Sequence, residues 1–171
     1  MNKNLFELPS GLKKLLAAYL ITLAFGVLVG LAYLYYTTDY SSKGVVERFK
    51  GSEIEDNVDS VDEIEMEMNY KKSLSEMLMT THNHILGLSF IFLTVGLIFY
   101  FNSITSQFWK MFLLIEPFVS LVVSFTSIWG VRFIDGALIY ITFISALLMY
   151  SSLFIMIFIS LFDLFKKSKP V

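Results

Sequence analysis

Histidine and methionine side chains crowd one short stretch of the chain and are its best candidates for binding a cofactor. The residues are Met66, Met68, Met77, Met79, His82 and His84. Thioether and imidazole groups together suit Cu(I), and imidazole also suits haem iron or zinc. The stretch therefore predicts a haem b or copper site in which His82, His84, Met77 and Met79 are the candidate ligands. The alternative interpretation is structural, with methionines at a membrane interface and hydrogen-bonded imidazoles.

Helical geometry separates the two imidazoles. Each residue of an α-helix turns about 100°, so His82 and His84 point about 200° apart and cannot bind one ion from the same face. A haem held by two histidines of one chain is disfavoured, because both histidines lie on the same span and no other helix carries one. Two haem arrangements are compatible with this geometry: a haem bound by one histidine and one methionine, and a haem shared between two chains. Arg132, in a short turn, is the candidate partner for a propionate or a substrate anion.

Glu116 is an acid inside an apolar run and precedes Pro117. An ionised carboxylate in hydrocarbon costs several kcal/mol, so we expect Glu116 to be protonated or paired. Pro117 cannot donate to the carbonyl of Leu113, and a protonated Glu116 could donate to it instead. The functional alternative is a proton or ion site in a small transporter, although no internal repeat or pair of broken helices supports that alternative.

The composition places the chain in a membrane. Of 171 residues, 56% are hydrophobic and only 16% are charged, and the mean hydropathy is +0.66. A soluble domain this small could not bury so much apolar surface. The net charge of −2 provides no basic field for nucleic acid. The chain has no cysteine and no complete catalytic motif, which argues against an enzyme.

Four apolar runs are long enough to cross a bilayer as helices, since about 20 residues span its hydrocarbon core. They cover residues 15–36, 81–101, 108–130 and 136–162. The first run follows two lysines but exceeds a signal-peptide core and lacks a cleavage site, which favours a retained anchor. The sequence predicts an all-α integral membrane four-helix bundle, with residues 1–171 as one membrane domain in contact with lipid.

Residues 38–79, between the first two spans, form the sizeable polar segment. They hold eleven acids and five bases, and eight of the acids lie between Glu53 and Glu67. A capping box at Ser60–Glu63 and apolar residues at three- and four-residue steps predict an interfacial helix over about 60–79. A second capping box, Ser73–Glu76, marks the entry into the second span. The fold prediction thus includes an acidic, partly helical extracytoplasmic segment.

Small and polar residues recur on one face of three spans. In the first span Ala18, Thr22, Gly26 and Gly30 repeat every four residues, a spacing that lets helices approach closely. This face could pack within the chain or against a second copy. Polar stripes in the last two spans indicate inward faces of a compact bundle. The third span carries Glu116, Ser120, Ser127 and Gly130 on its stripe, with Ser124 at the edge, and the fourth carries Thr142, Ser145, Met149, Ser152, Met156 and Asp163.

Two segments resemble a set of bacterial multi-pass inner-membrane proteins. The first covers residues 43–51, and the second covers residues 72–85 with Thr81-His82-Asn83-His84. Proteins of this set carry a Thr-His-x-His segment at the start of the second membrane helix. The resemblance implies an inner-membrane location and a multi-pass topology. It transfers no catalytic role.

Three functions are compatible with these features. The first is a membrane redox or metal-handling component that binds haem or a metal through the histidines. The second is a structural or assembly subunit, as a homo-oligomer or in a larger membrane complex. The third is the small ion or solute transporter suggested by Glu116.

Cations flank the spans on both sides, seven on the side of the termini and six on the other. The terminal cations adjoin the spans, and the other side carries the acidic block, so the positive-inside rule places both termini in the cytoplasm.

Single cysteines test this orientation, because the chain has none of its own. We expect Asn2→Cys and Ser168→Cys to react with an impermeant maleimide only after the membrane is opened. Asn57→Cys, in the acidic segment, should react in intact cells. Labelling of Asn2→Cys from outside would reverse the orientation.

Overall fold

All regular structure in the described residues is helical. The computed structural model describes residues 4–52 and 70–166. The elements are a 3-10 turn at Leu5–Glu7, α1 (Ser10–Thr38), α2 (Ser42–Lys50), α3 (Leu74–Tyr100), α4 (Gln107–Phe133), a 3-10 turn at Gly136–Leu138 and α5 (Ile139–Leu164). Four helices, α1, α3, α4 and α5 with its preceding turn, are long and apolar enough to cross a membrane. The predicted all-α membrane bundle is confirmed.

The second span begins earlier than its apolar run. The Ser73 backbone N–H donates to Glu76 Oε2 (2.7 Å), and the Glu76 N–H donates to Ser73 Oγ (3.3 Å), which confirms the predicted capping box. The box starts α3 at Leu74, so residues 74–79 form the first turns of this span. Residues 60–69 of the predicted interfacial helix lie outside the described residues, as do the capping box at 60–63, Met66 and Met68.

A short amphipathic helix, α2, follows α1, whereas the sequence predicted helix only later in the 38–79 segment. Its N-terminus is capped by Ser41, whose Oγ accepts from the Gly44 N–H (2.9 Å). One face of α2 is buried in an apolar group that we call the distal cluster, formed by Val45, Phe49, Met77, Val131 and Ile139. We call this end of the bundle the distal end and the opposite end, near the first and last described residues, the terminal end.

Helices α4 and α5 pack closely along their polar stripes. Every member of both stripes is buried except Glu116, which is half-buried, so the inward faces predicted from the sequence are confirmed. The hydroxyls of Ser127 and Thr142 share a hydrogen bond between the two helices (2.7 Å). Ser145 instead donates to the carbonyl of Ile141 within α5 (2.8 Å). These bonds satisfy polar groups that lipid cannot hydrate.

A buried carboxylate closes the terminal end. Asp163, in the last turn of α5, is fully buried and accepts from the backbone N–H (2.9 Å) and the hydroxyl (2.6 Å) of Ser103. Ser103 lies in the loop between α3 and α4. The N-terminal turn joins this end through the Leu5 N–H, which donates to the Phe101 carbonyl (3.1 Å). Asp163 therefore ties the end of α5 to the α3–α4 loop.

Helix α1 is the least enclosed span. Only 11% of the most apolar 18-residue stretch of α1 is buried, against 22%, 39% and 39% for the corresponding stretches of the other three spans. Its buried residues are Ala17, Leu20 and Thr38. The four small residues predicted to pack are all exposed: Ala18, Thr22, Gly26 and Gly30. This face does not pack inside the described part of the chain, and its packing against a second copy stays a prediction.

Replacement of Asp163 tests how much its two hydrogen bonds with Ser103, which we call the clamp, stabilise the terminal end. Asp163→Ala leaves two donors of Ser103 without their acceptor, so we expect it to lower the free energy of unfolding by about 2 kcal/mol. Ser103→Ala removes only the hydroxyl bond and should cost less. Thermal unfolding of the detergent-solubilised chain measures both, and the double variant gives their coupling. An Asp163→Ala protein as stable as the original would show that the clamp is dispensable.

Candidate functional site

A groove opens between α1 and α3, with α5 behind it. The cavity has a volume of about 380 Å³. We call it the α1–α3 groove, and its lining residues are Leu23, Gly26, Val27 and Gly30 from α1, His84, Leu88 and Ile91 from α3, and Tyr150 from α5. The walls are mostly apolar, while His84 and Tyr150 bring the polar side-chain atoms. An apolar recess with a few polar groups is typical of small-molecule sites.

The shape of the groove follows from one hydrogen bond and two glycines. Tyr19 of α1 and Thr94 of α3 share a hydrogen bond of 2.6 Å on the terminal side of the groove. Because Thr94 Oγ1 lies 3.0 Å from the Phe90 carbonyl and donates to it, Tyr19 is the donor between the helices. A Cβ built at Gly26 or Gly30 meets no heavy atom within 4 Å. The α1 wall is therefore open backbone surface.

His84 has a defined ring orientation. Its Nδ1 lies 2.8 Å from the backbone carbonyl oxygen of Thr80. A carbonyl only accepts, so Nδ1 carries the proton, and in the neutral ring Nε2 keeps a free lone pair. The ring centroid lies 5.7 Å from that of Phe125 on α4. This arrangement, with one nitrogen held by a carbonyl and the other free, is typical of metal-ligating histidines.

The depth of His84 follows from its neighbours. Trp129 of α4 donates its indole N–H to Thr81 Oγ1 (2.9 Å). Tryptophan is enriched at the boundary between water and lipid. His84 lies about 4.5 Å, nearly one helical turn, farther into the span than Thr81. The groove therefore opens about one helical turn farther into the bundle than the level of Trp129 and Thr81, at the distal end.

The other predicted ligands lie apart from the groove lining. His82 and His84 are both exposed, but His82 does not line the groove. Met79 is 65% exposed, and Met77 is enclosed in the distal cluster at 1% exposure. Arg132 donates through Nε to the Lys72 carbonyl (2.9 Å) and stacks over the Phe133 ring. Among residues 4–52 and 70–166, no group of three or more His, Asp or Glu side chains could hold a metal ion. Any ligand at the groove would therefore meet one imidazole of this chain.

The carboxyl group of Glu116 bonds within its own helix. Its Oε1 accepts from the Ser120 hydroxyl, rather than the group donating to the Leu113 carbonyl as the sequence suggested. The second oxygen, Oε2, is buried and has no hydrogen-bond partner among the described residues. Helix α4 continues through Pro117 from Gln107 to Phe133. Glu116 does not line the α1–α3 groove.

Tyr150 is the groove residue that the sequence did not reveal. It lies one position beyond Met149 of the polar stripe, and no motif marks it. Within the described part of the chain, no hydrogen bond engages its hydroxyl. His84 and Ile91, by contrast, are seven residues apart on one face of α3, and both line the groove. Helical spacing links residues of one helix, while the meeting of α3 with α5 depends on how the helices cross.

The fold and the groove define a multi-pass helical membrane protein with a mostly apolar recess between two of its spans. The chain belongs to the Aq_1264_TM family, a transmembrane helical domain, which matches residues 39–171. The matched region starts directly after α1 and includes α2 to α5. The match supports the membrane family that the resemblance implied. No curated protein and no solved structure matches the chain.

Proposed function

We propose that the protein is a membrane-embedded binding component that takes up a lipid-soluble cofactor or ligand and holds it against His84 in the α1–α3 groove. The proposal keeps the histidine-bound cofactor of the haem- or metal-binding component predicted from the sequence and assigns the ligand to His84 alone. If the termini are cytoplasmic, the groove opens into the outer leaflet of a bacterial inner membrane. No catalytic role is part of the proposal.

The orientation of His84 is the observation that carries this proposal. The Thr80 carbonyl occupies Nδ1 and leaves Nε2 without a partner in the described residues. A polar atom without a hydrogen bond is costly in an apolar medium, because lipid cannot replace water as its partner. A ligand that bonds Nε2 removes this cost. The open backbone at Gly26 and Gly30 leaves room for such a ligand.

Haem and copper are the metal-containing forms of this proposal. His84 would hold haem iron through Nε2, and the Thr80 carbonyl would be the outer partner that orients the imidazole ring. Copper has weaker support, because Met77 is enclosed in the distal cluster and Met79 lies outside the groove lining. Arg132 lies outside the groove lining and holds the Lys72 carbonyl through Nε, so its terminal nitrogens would be the donors left for a propionate.

Two glycine replacements test whether the groove is occupied. Gly26→Phe fills the groove, whereas Gly87→Phe adds the same ring to a position outside the groove that is equally free of neighbours. We expect mass spectrometry of the gently extracted protein to detect a lipid-soluble molecule in the original chain and in Gly87→Phe. Gly26→Phe should lose it. Equal retention by both variants, or no bound molecule at all, would contradict the proposal.

Visible spectra of the same samples, oxidised and reduced, identify or exclude haem. If haem is the occupant, a Soret band disappears in His84→Ala and persists in His82→Ala, because only His84 lines the groove. A Soret band lost equally in both variants would contradict the assignment to His84.

The second candidate function is an assembly subunit, and the exposure of α1 favours it. The most apolar stretch of α1 is only 11% buried, and the small residues on one of its faces are exposed. Small residues let membrane helices approach closely, which makes this face suitable for a helix of a second subunit. In this function α1 joins the family domain, residues 39–171, to a homo-oligomer or a larger membrane complex.

Neighbouring alanines of α1 separate assembly from folding. Ala18 is exposed outside the groove, whereas Ala17 is buried in the core. We expect Ala18→Ile to keep the thermal stability of the chain while the particle size after gentle extraction falls to that of one chain. Ala17→Ile should instead lower stability by about 1–3 kcal/mol through overpacking. An original chain that already behaves as a monomer would refute this function.

A further inference from the structure

We infer that the ligand class of the α1–α3 groove is a quinol: a planar, lipid-soluble ring that carries two oxygens and an apolar tail. One ring hydroxyl donates to His84 Nε2, and the other oxygen accepts from the Tyr150 hydroxyl. This inference rests on the proposed function and names the occupant of that site. No electron transfer is assigned to the groove.

The two polar side chains of the groove have opposite hydrogen-bonding roles. His84 Nε2 is an acceptor, because Nδ1–H is bonded to the Thr80 carbonyl. Tyr150 carries an O–H donor that is unbonded within the described part of the chain. A hydroquinone ring offers a donor and an acceptor on opposite edges of one small molecule. Both residues line the same cavity, and the inference places one ring between them.

The walls suit an aromatic ring with a hydrocarbon tail. Gly26 and Gly30 present bare backbone, against which a flat ring can stack without meeting a side chain. Leu23, Val27 and Leu88 supply apolar contacts, and the α1 glycines are exposed where the span faces lipid. A ligand dissolved in the bilayer therefore reaches the groove from the side. Its tail can remain among the lipid chains.

The dimensions favour a single ring over a porphyrin. The cavity of about 380 Å³ lies at the lower end of the range for small-molecule sites, about 300–1,000 Å³. His84 is the one nitrogen ligand that the described residues bring to its lining, so a metal would lack further protein ligands there. The Tyr150 hydroxyl has a direct use in binding a ring oxygen. Haem is accordingly an alternative outcome of the test.

The experiment measures binding of decylubiquinol to the full chain in lipid nanodiscs. Quenching of Trp129 fluorescence reports the ring, with Trp109 replaced by Phe in every sample. The di-O-methyl ether of the same quinol is the control for partitioning, because it enters lipid equally but cannot donate to Nε2. We expect saturable quenching by the quinol and at least tenfold weaker binding of the ether.

Matched variants assign the two hydrogen bonds. His84→Ala and Tyr150→Phe should each weaken quinol binding about tenfold. His82→Ala and Tyr140→Phe are the controls, since both positions are exposed outside the groove. Tyr150→Phe removes one oxygen atom and keeps the ring, so it preserves the packing of α5. Thermal unfolding verifies that each variant is folded.

The outcomes distinguish the inference from the proposed function. Quinol binding that is unchanged in Tyr150→Phe, or equal for quinol and ether, overturns the inference. A Soret band, or another molecule lost from Gly26→Phe, also overturns it but leaves the groove as a binding site. No bound molecule and no saturable quenching would overturn both.

Discussion

Hydrocarbon offers no hydrogen bonds, and this constraint accounts for most of the structure. Inside the spans every polar group needs a partner from the chain itself. Side-chain hydroxyls accordingly donate to carbonyls one turn earlier, as Thr38 does to Leu34 (2.7 Å), or to a neighbouring helix, as between Ser127 and Thr142. The polar stripes of α4 and α5 face each other for the same reason. Their contact forms the most enclosed part of the bundle.

Polar atoms that have no hydrogen-bond partner indicate where a ligand could bind. Among the described residues, Oε2 of Glu116 is buried without a hydrogen bond, as are the hydroxyls of Thr105 and Ser160. Nε2 of His84 also has no partner there, yet its surroundings differ. Glu116 Oε2 is buried beside its own helix, whereas His84 lines a recess open to lipid. An unpaired acceptor at an open recess can be satisfied by an incoming molecule. That difference is why His84, rather than Glu116, carries the functional proposal.

The recess exists because α1 contacts the bundle unevenly. Ala17 and Leu20 pack into the core on the terminal side, and Tyr19 bonds Thr94 at the same level. Farther along, the glycines of α1 fill no space against α3, so the helices leave a gap between them. The family match begins after α1. Helix α1 packs loosely beside a compact core of three helices. A ligand can therefore enter between α1 and α3 without breaking many contacts between helices, which suits reversible binding.

Local sequence patterns predicted the four spans, the polar faces of two of them and one helix cap. Hydropathy over windows of about 20 residues located the four spans, since bilayer thickness sets their length. Helical periodicity identified the inward stripes of α4 and α5, and the spacing of Ser73 and Glu76 identified the cap of α3. The opposite orientation of His82 and His84 also followed from helical geometry. Each of these inferences needs only neighbours within one helix.

Contacts between helices decided the rest. The spacing of small residues on α1 left open whether this face packs within the chain or against a second copy. In the structure the face is exposed, because Ala17 and Leu20 occupy the contact with the core. The pairing of His84 with Tyr150 in one groove depends on where three helices diverge, and no spacing in the sequence encodes that. The burial of α2 in the distal cluster is likewise a tertiary contact.

The sequence by itself determined the lipid environment, the helices and their polar faces, because these depend on local composition and period. Only the tertiary structure decided which faces meet, because helix crossing depends on side chains distant in the chain.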